Sequence, residues 1–178
     1  MAGLRHSYLA FNAALGDLYS DDLLQLADAP NSSRSALDGG PKNPNFDDSA
    51  FFDAASMVYD AGGFDASQLS TPEARRLIAE TLKQINRAIS SGVSYEVPQT
   101  VRHALENNAF IFSGFKAYHT LREVGLSLTT DTGEIKPFEQ FRRDVEKVNN
   151  QYNHNYLNAE YNHAVGASLM AERWHKIE

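Results

Sequence analysis

STPEARRLIAETLKQINRAISSG, residues 70–92, decides the reading of the fold. Ser70-Thr71-Pro72-Glu73 offers two ways to begin a helix. One is a capping box from Ser70 to Glu73; the other has Thr71 as cap with Pro72 at the first helical position. Behind it Ala74, Leu77, Ile78, Leu82, Ile85, Ala88 and Ile89 recur at helical spacing, and Gly92 closes the run. Arg75, Arg76, Glu80, Lys83 and Arg87 fall on the opposite side and read as a solvated face.

The same periodicity extends in both directions. Upstream, Asp47 or Asp48 caps a short helix whose broad apolar face is Phe51, Phe52, Ala55, Val58 and Tyr59, ended by Ala61-Gly62-Gly63. Downstream, Pro98 opens a helix through Val101, Ala104 and Leu105 that Asn107-Asn108 should interrupt. After it come Phe110, Phe112, Phe115 and Tyr118, read as core rather than pocket lining, and a helical continuation to about Val124. Leu126 to Lys136, around the turn Asp131-Thr132-Gly133, allows one small hairpin. Pro137 starts the longest helix, with Phe138, Phe141, Val145, Val148, Tyr152, Tyr156, Ala159, Ala164, Ala167, Ala171 and Trp174 on its expected face. Six Asn between Asn149 and Asn162 mark a place for a kink near Asn149-Asn150. The expected fold class is all-α, with one long C-terminal helix and at most one small β-hairpin.

Farther upstream, residues 1–28 read as a helical arm, with Leu4, Tyr8, Phe11, Leu15, Leu18, Tyr19, Leu23 and Leu26 at spacings of three and four. Residues 29–46, dominated by Gly, Pro, Asn and Ser, read as a flexible linker. Residues 47–178 are then expected to fold as one helical domain without them. Charge divides the chain farther along, at about residue 70. Of the formal net charge of −7, all lies in residues 1–70, which hold three basic and ten acidic side chains, every acid an Asp. An acidic front and no basic stripe argue against direct nucleic-acid binding.

The chain has 178 residues and no Cys, which removes disulfide frameworks, cysteine nucleophiles and cysteine-type zinc sites together. No apolar run approaches the ~20 residues of a membrane span, and Met1 to Ser7 lacks the layout of a secretory signal, so a chain working where it is made is expected. Glu160-x-x-His163 and Glu172-x-x-His175 imitate the helical motif of di-iron bundles. On one helix they would lie ~18 Å apart and ~120° around the axis from each other, so they share no metal. Tyr152-Asn153-His154 returns as Tyr161-Asn162-His163, nine residues or about half a revolution later, and so facing the other way. Asp144 and Glu146 read as solvated charges. No nucleophile motif, phosphate loop or dinucleotide fingerprint is present, so neither enzyme chemistry, metal nor cofactor is expected.

Residues 105–116 (LENNAFIFSGFK), 133–138 (GEIKPF), 155–165 (NYLNAEYNHAV) and 170–174 (MAERW) together resemble the minor head proteins of tailed phages, the Mu F-like head-morphogenesis family in the form carried by phages and prophages of Bacteroidetes-type bacteria. The resemblance covers roughly residues 65–178. It implies a low-copy virion component near the portal vertex, acting in head assembly or DNA packaging. Its implied partners are the portal protein and the major capsid or scaffolding protein, with a homo-oligomer compatible, and its places the phage head and the host cytoplasm during assembly. Members usually continue into a segment rich in His, Pro, Trp and Cys, some with a toxin-like enzyme domain after it. The alternative is therefore a non-catalytic leader for a catalytic domain beyond Glu178. For assembly, the expected docking residues are Tyr152, Tyr156, Tyr161, Ala164, Ala167 and Trp174, small residues permitting close helix approach and aromatics supplying contact area.

Overall fold

The computed structural model describes residues 45–94 and 97–175, with the side chains of Glu172, Trp174 and His175 excepted. The arm, and the linker up to residue 44, lie outside the described residues. Helix α1 spans Asp48–Asp60, and a 3-10 turn follows at Ala66–Ser70. Helices α2, Pro72–Gly92, and α3, Gln99–Leu126, come next. The C-terminal stretch consists of α4, Phe138–Asn149, a π-helical segment, Asn150–Tyr156, and α5, Leu157–His175. The described part is thus all-α. The hairpin shrinks to a single antiparallel bridge between Thr129 and Ile135.

Caps placed close in sequence set the early boundaries. The Asp47 carboxylate accepts from the Ser49 amide at 3.0 Å and starts α1. Gly62, with φ +72°, ends it in the left-handed region that favours glycine. For α2 the Thr71 cap is the one used: its hydroxyl accepts from the Ala74 amide at 3.3 Å, with Pro72 in the first turn. The capping box sits elsewhere, at the 3-10 turn, where Asp65 receives the Ser67 amide and Gln68 Oε1 accepts from the Asp65 amide at 2.7 Å.

Helix α2 is the centre of the molecule, packed by α1, α3 and α5. The core joins Phe51 and Val58 of α1, Leu69, the row Leu77, Ile78, Leu82, Ile85 and Ile89 of α2, and Phe110, Ala117, Leu121 and Val124 of α3. Leu128, Phe141, Val145 and Leu157 close it. Phe46 belongs to this core, so the last two residues of the expected linker, 45 and 46, are part of the fold. The Asn45 carbonyl accepts from Gln84 Nε2 at 2.8 Å.

Three expectations change. First, α3 runs unbroken through Asn107-Asn108, because both side chains face solvent, where a weak helix former costs only ~0.7 kcal/mol or less. Second, Glu80 is not on a solvated face: only 8% exposed, it accepts from Gln84, from Lys83 and from the Asp47 amide. Burial of this carboxylate is tolerated because both of its oxygens meet donors. Third, the inward row of the C-terminal stretch is Phe141, Val145, Asn149, Asn153 and Leu157, while Phe138, Tyr156, Ala159 and Ala167 are exposed. Spacings of four drift by ~40° per step on a 3.6-residue helix, or about 160° over the row. The wider π turn absorbs that drift and keeps the five residues inward.

Candidate docking surface on the C-terminal helix

Helix α5 has two unlike faces. Leu157, Ala164 and Ser168 face the rest of the molecule, and Ser168 meets the end of α2 at unusually short range. A Cβ on Gly92 would lie 2.7 Å from Ser168 Cβ and 2.8 Å from the Val165 carbonyl oxygen, so only glycine permits the crossing. On the opposite side, Ala159, His163, Gly166 and Met170 form an exposed line at spacings of four, three and four, flanked by Ala167 and Leu169. Met170 is 59% and Leu169 44% exposed, and a side chain at Gly166 would meet nothing within 4 Å.

The six expected docking residues therefore divide. Ala167 lies on the outer face and Ala164 packs against the core. Tyr161 is half-buried, and the side chain of Trp174 lies outside the described residues. Tyr152 and Tyr156 meet edge to face with centroids 5.3 Å apart on the π segment, where Gln151 Nε2 donates to the Tyr156 hydroxyl at 2.7 Å. Of the aromatic set on α3, Phe110 is buried as expected, but Phe115 is 43% exposed.

Tyr152 marks the edge of a polar seam between α3 and the C-terminal stretch. Lys116, 6% exposed, sends its ammonium to 2.9 Å from Glu160 Oε2 and 5.8 Å from the centre of the Tyr152 ring. Burial pushes the Lys116 ammonium below its ordinary pKa, and the Glu160 carboxylate opposes that shift. Burial, then the charge of Glu123, raises the Tyr152 phenol. The Thr120 hydroxyl, one turn from Lys116, is buried without a hydrogen-bond partner. A sequence signal for this seam exists: Ser113, Ala117 and Thr120 surround Lys116 on one helix face, and small side chains leave room for a long one.

A second polar group holds the π segment to α1. Asp48 Oδ1 accepts from Asn149 Nδ2 at 2.8 Å and lies 2.9 Å from His154 Nε2, while Asn153 Nδ2 donates to Asn149 Oδ1 at 2.8 Å. Asp144, between Lys136 and Lys147, is held below the usual carboxylate range by hydrogen bonds from both. Among the described residues no three His, Asp or Glu side chains gather as a metal-binding group; Glu160 is committed to Lys116, and His163 is exposed. Among them, too, no helix is long and apolar enough to cross a membrane. No protein-family model, curated protein or solved structure matches the chain.

Proposed function

We propose that this chain is a structural component of a tailed-phage head, acting near the portal vertex in assembly or DNA packaging. The portal protein is the partner to which the outer face of α5 docks. The observation that carries the proposal is that face itself, where Ala159, Gly166 and Ala167 would allow a second helix to approach closely beside the exposed Leu169 and Met170. The choice of assembly comes from the resemblance of residues 65–178 to minor head proteins; the helical, α2-centred packing supplies a rigid base for such a face.

The test combines mass spectrometry of purified virions with a double substitution, Leu169→Asp and Met170→Asp. Both positions are exposed, so the isolated chain should change in stability by no more than ~0.5 kcal/mol per site. Apolar anchors at an interface typically contribute about 2 kcal/mol or more, roughly a thirtyfold change in affinity, so incorporation should fall sharply. Absence of the wild-type chain from heads refutes the assembly role. Normal incorporation of the double variant moves docking off this face, and retention of the chain in heads lacking portal names capsid or scaffold as partner.

A further inference from the structure

Among the described residues nothing accounts for Gly166. Gly92 is needed for the crossing with Ser168, whereas a side chain at Gly166 would meet nothing within 4 Å. Glycine is also the poorest helix former after proline, so a helix arriving from outside is what would use it in the middle of α5. It stands on the exposed line Ala159, His163, Gly166, Met170, where small and large side chains alternate. The spacings of four, three and four are the same read in either direction. We infer that in the free chain this face of α5 pairs with the same face of a second copy, the two helices running antiparallel about a two-fold axis. The inference does not rest on the proposed role in phage heads; a portal subunit taking this face would displace the second copy.

The pairing follows from where the residues fall. Ala159 with Met170, and His163 with Gly166, share one midpoint, between Ala164 and Val165. A two-fold axis level with that midpoint sets Met170 of the second copy opposite Ala159, and Gly166 of the second copy opposite His163. Every large side chain on the line then meets a small one, in both halves of the contact at once. Tyr156 and Arg173 share the midpoint too, and both are exposed. Each guanidinium is thereby level with the Tyr156 ring of the other copy, a cation–π partner.

A parallel pair would set like against like, Met170 on Met170 and Arg173 on Arg173. Antiparallel order holds the two Arg173 about 26 Å apart, well beyond the ~8 Å over which exposed charges act at physiological salt. The exposed line holds no acid, so the chain's net charge of −7 does not oppose self-contact there. Size sets the strength. From Tyr156 to Arg173 the contact is about 27 Å long, and a helix presents a strip about 10 Å wide. That is well under the ~800 Å² per partner of a standard interface, so the dimer is weak and reversible, micromolar or weaker.

Sedimentation equilibrium of the full chain, from about 1 μM to about 500 μM, reads the self-association. An exchange of large for small reads the register. Ala159→Met sets Met against Met170 of the second copy, Met170→Ala empties the other side, and each should weaken the dimer by roughly tenfold or more. The double variant Ala159→Met/Met170→Ala again opposes one large side chain to one small one and should return to within about threefold of wild type. Both positions are exposed and both residue types are good helix formers, so the fold is kept. Only a second copy supplies both sides of the contact, so the exchange rescues no other partner. A wild-type chain that stays monomeric throughout the range overturns the inference. So does either single variant that leaves the dimer unchanged, or a double variant no tighter than the singles. Absence of the chain from virions, by contrast, refutes only the head-assembly role.

Discussion

At the residue scale, Gly92 and Lys116 are the positions where the packing leaves least freedom. Gly92→Ala would set a methyl group against the Val165 carbonyl, a backbone atom that moves only if α5 moves. The expected loss is ~1–3 kcal/mol, the usual range for overpacking, read as a lower urea midpoint with an unchanged slope. Gly166→Ala is the control: it has open space around it, and on an exposed helix it should stabilise by up to ~1 kcal/mol. Lys116 carries a pH signature. Its folded pKa lies below the ordinary 10.5, so between the two values the unfolded chain holds a proton that the folded chain has released. Stability contributed by Lys116 therefore rises with pH across that window. Tyr152 has the opposite sign, because its pKa is raised above 10.0 and the folded chain keeps a proton that the unfolded chain loses. Urea midpoints measured as pH rises toward 10.5 should accordingly increase more for the wild type than for Lys116→Met. Parallel lines would mean that burial does not govern this lysine.

At the element scale, the π segment shows where local sequence stops being a guide. Helices α1 and α2 were legible because their caps, Asp47 and Thr71-Pro72, lie within three residues of the amides they satisfy or replace. The C-terminal stretch misled for a physical reason: a 3.6-residue period puts Tyr152 and Tyr156 inward, whereas the π turn puts Asn149, Asn153 and Leu157 there. Two asparagines at 3% and 1% exposure are acceptable only because they bond to each other and to Asp48, a partner 101 residues away from Asn149. No window along the chain contains that information. The prediction at this scale is a ranking. Asp48→Ala orphans the buried Asn149 amide and should destabilise by ~1–3 kcal/mol. His154→Ala removes a half-exposed partner of the same carboxylate, worth ~0–1 kcal/mol, and a ring edge-on to Phe46, and should cost less than Asp48→Ala. The reverse order in urea unfolding would show that His154, not Asn149, anchors the segment.

At the scale of the whole molecule, the all-α class and the bounds of α1 and α2 are legible, since apolar periodicity reports helices whatever they pack against, whereas the 3-10 turn, the continuity of α3 and the π segment are not. The outer face of α5 is legible only in part: the sequence shows its small residues, but which of them turn outward depends on the crossing at Gly92 and Ser168, a tertiary contact. The expected linker likewise takes in Asn45 and Phe46, which the described fold uses, and that sets the last prediction. A chain beginning at Asn45 keeps Phe46, 7% exposed and edge-on to His154, together with the Asn45 carbonyl that satisfies Gln84. It should unfold cooperatively in urea. A chain beginning at Asp47 loses an aromatic anchor, of a kind whose truncation to Ala costs about 3–5 kcal/mol in a core, and leaves the Gln84 amide without one of its acceptors. Against a typical total of roughly 5–15 kcal/mol, that chain should be marginal or unfolded at room temperature. Phe46→Ala in the full chain separates the two losses, because it removes the ring and keeps the carbonyl. Equal urea midpoints for the chains starting at 45 and at 47 would place the boundary at Asp47 after all, with Phe46 contributing contact but little stability.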